Sequence, residues 1–123
     1  MMPPQPGRPP GPPGPPAPPD GSWLGPNGPI AAAFAAQGER YETRAEQQRM
    51  SAAVADALSS RRHLLVEAGT GVGKSFAYLV PALAWAAETG QTVAVATSTI
   101  ALQEQLVRRD LPLLARALPF EVR

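Results

Sequence analysis

The chain has 123 residues, no cysteine and a formal net charge of +1. That balance excludes a bulk electrostatic hold on nucleic acid, so any such contact must be local. The missing cysteines exclude disulfides and thiolate metal sites within these residues. The longest apolar run, residues 76–87, is too short to span a bilayer and contains Pro81, and the N-terminus has no secretory pattern, so a cytoplasmic chain with no membrane contact is expected.

Thirteen of the 16 prolines fall in the first 29 residues, and Arg8 and Asp20 are the only ionisable side chains before Glu39. "MMPPQPGRPPGPPGPPAPPDG" therefore reads as a disordered Pro/Gly-rich tail over residues 1–22, polyproline II in its local preference. Its triplet glycines are too few for a collagen helix. Pro3, Pro6 and Arg8 fit a P-x-x-P-x-R ligand for a proline-binding groove, a pattern that arises easily in such sequence, so the tail's partner is unknown.

"GPNGPIAAAF" marks the transition to the folding part, with Pro29 placed to begin a short alanine-rich helix. In "YETRAEQQRMSAAVADALSSRRH", Thr43 and Glu46 suit a capping box, and Met50, Val54, Ala57 and Leu58 form an apolar stripe. "HLLVE" reads as a buried strand. "KSFAYLVPALAWAAET" reads as a helix apolar nearly all round, with Phe76, Val80, Leu83 and Ala87 inward and Leu79 and Trp85 widening that face, kinked at Pro81 and ended by Gly90. "TVAVAT" reads as a second strand. Ser98 or Thr99 then caps a helix to about Arg109, which "DLP" breaks, and a last piece covers residues 113–118. This order is that of an α/β fold with a parallel sheet and flanking helices.

Between the first strand and its helix lies "AGTGVGKS", the spacing G-x-x-x-x-G-K-[ST] with alanine at its first position. Amides from Gly69 through Thr70, Gly71, Val72, Gly73, Lys74 and Ser75 can converge on a β-phosphate at the positive end of the helix. Gly71 and Gly73 allow backbone angles and close approach that a Cβ blocks. Lys74 would bridge β- and γ-oxygens, and the Ser75 hydroxyl would ligate Mg²⁺. Ala68 ends the strand, where an ordinary β conformation suffices. Lys74 is the single lysine beside ten arginines, as suits a site needing a compact ammonium. The expected ligand is a nucleoside triphosphate; the plainer alternative is a glycine-rich turn.

With these residues in place, the chain resembles the DinG-like, XPD-related branch of superfamily 2 DNA helicases. "EAGTGVGKSFAYLVPAL" looks like motif I, "YETRAEQQRM" like the nucleotide-sensing Q motif R-x-x-Q-x-x-M, and "TSTIALQEQLVRRDLPLL" like motif Ia with its D-L-P-L; "LGPNGPIAAAF" resembles the family's lead-in. The resemblance implies a partial RecA-like P-loop NTPase lobe over residues 23–123, truncated before Walker B and inactive alone. It further implies Gln47 as adenine reader, with Arg44 and Tyr41 flanking the nucleotide; without it, Gln47 and Arg44 would read as solvated helix residues. Thr97, Ser98, Thr99 and, more weakly, Gln103 would hold a phosphate of single-stranded DNA; the plainer reading of this stretch is an N-cap cluster with no ligand. ATP and Mg²⁺ are the implied cofactors; many members also carry a four-iron–four-sulfur cluster on cysteines inserted after motif Ia, and the absence of cysteine up to Arg123 leaves that cluster open. Sheets of this type separate the two strands, whose neighbours would come from the absent sequence, so poor stability in isolation is expected. Two other classes stay open: a phosphate-loop kinase or small NTPase indifferent to DNA, and a non-catalytic protein that works through its proline tail.

Overall fold

The computed structural model describes residues 21–69 and 73–122. The expectations for the tail, and for Thr70, Gly71 and Val72, lie outside them. A 3-10 turn, Ser22–Leu24, leads into α1 (Pro29–Ala36), α2 (Ala45–Ser60) and α3 (Lys74–Thr89). α4 (Ile100–Gln105) then runs through a π-helical turn (Leu106–Asp110) into α5 (Leu111–Ala117).

α1 begins as its sequence requires. Gly28 is extended and Pro29 supplies a preset φ where no amide partner is needed. Gly28 must also lack a side chain, because a Cβ there would collide with the Trp23 carbonyl. This tight turn buries Leu24 and Ile30 completely.

α2 starts without the expected capping box. Its N-cap is Arg44, and no side chain caps the first turn. The helix begins at Ala45, two residues beyond Thr43, so Thr43 is out of reach and Glu46 sits 3.7 Å from Arg49 instead. The far end is a Schellman closure: Arg62 N–H reaches Ala57 O at 2.9 Å and Arg61 N–H reaches Leu58 O at 3.3 Å. Arg61 is left-handed there, at φ 54°. The stripe Met50, Val54, Ala57 and Leu58 is half-buried, whereas the fully buried positions of α2 are Gln47 and Ser51.

α3 packs along α2 and stays one helix through Pro81, closing at a left-handed Gly90. Its buried face overlaps the expected one only in part. Leu79 and Val80 are covered as expected, together with Ala77, Ala82 and Ala84, while Phe76, Leu83, Trp85 and Ala87 are only half-buried. Small side chains at 77 and 84 suit close helix approach, and Leu83 instead borders an apolar cleft of about 510 Å³ with Val93, Val95 and Leu111. The core is Leu24, Ile30, Leu79, Val80, Leu106, Leu113, Leu114 and Leu118.

The "DLP" sequence does not break the last helix. Pro112 has no amide for the carbonyl four residues back, and the chain answers by widening: Leu111 N–H bonds Leu106 O, five residues away. Leu106 and Asp110 are buried by this turn, Asp110 accepting from Gln105 Nε2 at 3.3 Å.

The expected parallel sheet is not formed among the described residues. Segments 64–67 and 92–96 run without ladder bonds. Leu65 is 99% exposed, and Leu64, Val66 and Val95 are also open. A strand is stable only when a neighbour takes its N–H and C=O groups, and these two segments do not pair with each other.

Candidate nucleotide site

The described part of the phosphate loop is its two ends. Ala68 is half-buried and Gly69 exposed at the entry. At the exit, Gly73 takes φ 72° and ψ 48° as the N-cap of α3, and no side chain caps the helix. Lys74 and Ser75 are the first two helical residues, one exposed and one half-buried. The first turn of α3 has no acidic residue, and Lys74 makes no ion pair among the described residues. An ammonium stacked on the positive end of a helix is unfavourable by itself, and an anion placed there relieves both.

Gln47 is brought to this point by the buried face of α2. It is 3% exposed. Its Nε2 donates to the Gly73 carbonyl at 3.1 Å, and its Oε1 accepts from the Tyr41 hydroxyl at 2.6 Å. The same carbonyl accepts the Ala77 amide at 3.2 Å, so both of its lone pairs are used. A Cβ on Gly73 would collide with Nε2 of Gln47.

Tyr41 packs its ring on Phe34, centroids 5.2 Å apart, and its oxygen also lies 3.2 Å from the Leu24 carbonyl. Burial pushes its phenol up to about 12. Arg44 is turned away from this network, donating to Glu42 at 2.8 Å.

The structure thus joins Tyr41, Gln47 and Gly73 directly, with Lys74 and Ser75 beside them. Gln47 is a buried tie, not a solvated helix residue. Nothing in the spacing of the residues signals the contact between Tyr41 and Leu24, which depends on how the lead-in folds back. The second group stands apart, with no hydrogen bond to the first among the described residues. Thr99 caps α4 by accepting the Leu102 amide at 3.1 Å, and Thr97 donates to the Thr99 carbonyl at 3.0 Å. Ser98 and Gln103 are exposed. No cluster of three or more histidine or acidic side chains that could hold a metal occurs among the described residues.

Residues 46–118 match the DEAD/DEAH box helicase family. The chain belongs to that family. The match spans α2, the phosphate loop, α3 and the last helix, so Gln47, Gly73, Lys74 and Ser75 and the second group fall inside it, with Tyr41 and Arg44 just before its start. Among curated proteins, the chain is 54% identical over 89 residues to an ATP-dependent helicase DinG of Mycobacterium tuberculosis (strain ATCC 25177 / H37Ra), covering 72% of this chain and 13% of the relative. It is 44% identical over 95 residues to the ATP-dependent DNA helicase DinG of Escherichia coli (strain K12), covering 73% and 13%. The chain therefore spans about an eighth of the length of these relatives. Membership in a DEAD/DEAH box helicase family implies a RecA-like fold and the use of ATP with Mg²⁺. No helix among the described residues is long and apolar enough to cross a membrane.

Proposed function

We propose that this chain is the nucleotide-binding part of the first motor lobe of a cytoplasmic, DinG-like, ATP-dependent DNA helicase. The observation that carries the proposal is the exit of the phosphate loop: a left-handed Gly73 opening a helix with no side-chain cap, followed by Lys74, which has no ion pair among the described residues, and by Ser75. These residues fit a triphosphate with its metal. The helix end offers amides, the close approach at Gly73 leaves no room for a side chain, and the cation has no ion-pair partner among the described residues to displace. ATP would supply the free energy of phosphoryl transfer to water.

In this reading the amides of residues 69–75, with Ala68 at the entry, cradle the β-phosphate. Lys74 holds the β- and γ-oxygens, and Ser75 offers its hydroxyl to Mg²⁺. Gln47 turns its amide toward the base, with Tyr41 and Arg44 around it. Thr97, Ser98, Thr99 and Gln103 grip a single-stranded DNA phosphate, and opening and closing of the nucleotide cleft moves that grip 5′ to 3′ along the strand. Segments 64–67 and 92–96 become parallel strands when the rest of the domain supplies their neighbours, with residues 23–123 as the first part of that domain and residues 1–22 as a tail outside it. Support for the DNA role lies in the likeness to the DinG proteins.

The test is a Lys74→Ala substitution in the full-length protein. DNA-stimulated ATP hydrolysis should fall by at least about a hundredfold, as expected when a charge on the transferring phosphoryl group is lost, while single-strand binding stays within about twofold. Hydrolysis that persists, or wild-type turnover indifferent to DNA, would refute the helicase reading.

A further inference from the structure

The amide of Gln47 can sit either way round, and its neighbours choose. The Gly73 carbonyl can only accept, so it requires Nε2 on its side, at 3.1 Å. That places Oε1 against the Tyr41 oxygen at 2.6 Å. Two oxygens this close need a proton between them, and Tyr41 has one to give. The Leu24 carbonyl competes for it from 3.2 Å, a longer and weaker contact. Once the proton is committed to Oε1, the amide keeps one unused N–H and one unused lone pair. A donor beside an acceptor matches N7 and the N6 amine of adenine; guanine presents two acceptors on the same edge.

We propose that Tyr41 is a positioning residue for nucleotide selection: its hydroxyl proton holds Gln47 in the one orientation that ties down Gly73 and leaves a donor–acceptor pair complementary to adenine. The inference rests on the ATP-site reading above. Tyr41 acts here through Gln47, and its effect is a choice between bases as well as strength of binding. A purely structural tyrosine, pinning the lead-in to α2 through Leu24, would weaken every nucleotide alike.

The experiment uses the full-length protein with single-stranded DNA, measuring steady-state hydrolysis of ATP and GTP. Tyr41→Phe keeps the ring on Phe34 and removes only the hydroxyl. It should raise KM for ATP and lower the ATP-to-GTP ratio of kcat/KM about five- to tenfold, the range expected for one buried hydrogen bond. In a Gln47→Ala background the same change should add less than about twofold, because the residue it works through is gone. Equal losses with both nucleotides, or a full extra loss on top of Gln47→Ala, would overturn the proposal. A fluorinated tyrosine at position 41 covers the case in which the phenylalanine variant does not fold. It retains the ring and hydroxyl but ionises at lower pH, so the preference for ATP should fade as pH rises through its titration while wild type holds; a preference that does not change overturns the proposal. Wild-type protein with no ATP hydrolysis would instead bring down the nucleotide reading, and this inference with it. Active wild type with additive variants refutes the inference alone.

Discussion

At Gly73 the backbone angle and the neighbouring side chain make separate demands for a missing Cβ. A left-handed φ of 72° costs an L-residue about 1–2 kcal/mol, and a Cβ would also meet Nε2 of Gln47. Gly73→Ala should therefore destabilise the protein in thermal unfolding by more than the about 1–2 kcal/mol of the angle alone, and remove nucleotide binding in a titration. Adding Gln47→Ala should relieve the collision but not the angle, so part of the stability returns and binding does not. Tyr41 makes a prediction with a defined sign. Its folded value of about 12 lies above its unfolded value of 10.0, so its contribution to stability is complete below pH 10 and is lost as pH rises through 12. Melting temperatures between pH 9 and pH 12 should fall more steeply for wild type than for Tyr41→Phe; parallel curves would contradict the burial of the phenol.

Along single elements, residues that act on their own backbone were legible and residues that act through distant partners were not. Pro29 and Gly90 set the start of α1 and the end of α3 by fixing or freeing one φ angle, and both do so here. Thr99 caps α4 in the same local way. The capping box at Thr43 and Glu46 is equally local in form, but the N-cap falls one residue later, at Arg44, in a helix whose Gln47 is tied to Gly73. Pro112 signals a break because a regular α-helix cannot absorb it. Burial of Leu106 and Asp110 makes a wider turn the better solution. Polar Gln47 at a buried position has no hydrophobic signature, so its placement was open only to resemblance. The C-terminus of α2 gives the clearest test at this scale. Arg61 occupies the left-handed position that closes the helix, is exposed, and has no ion pair among the described residues. Arg61→Gly should stabilise the protein by about 0.5–1 kcal/mol, read as a higher urea midpoint at unchanged slope.

Across the molecule, the helices lie where the sequence places them while no sheet forms among the described residues, and the reason lies in where each keeps its hydrogen bonds. A helix satisfies its backbone internally, so α2, α3 and the last helix can pack around Leu79, Val80 and Leu114 with no further chain. A strand does so only through neighbours, and segments 64–67 and 92–96 have none among the described residues. The apolar cleft beside Leu83, Val93 and Val95 lies on that same side. These observations separate two contexts for one substitution. In this chain Leu65 is 99% exposed, so Leu65→Lys should leave its helical signal and melting behaviour unchanged. In the full-length protein, the proposed strand would bury that position in the centre of a sheet, and an unpaired ammonium there should destabilise the domain by about 3 kcal/mol or more and abolish DNA-stimulated hydrolysis. Circular dichroism melts of both lengths, with and without the substitution, decide the matter. A lysine tolerated in both would mean that residues 64–67 are not a core strand, and a lysine damaging in both would mean that Leu65 already has a partner in the shorter chain.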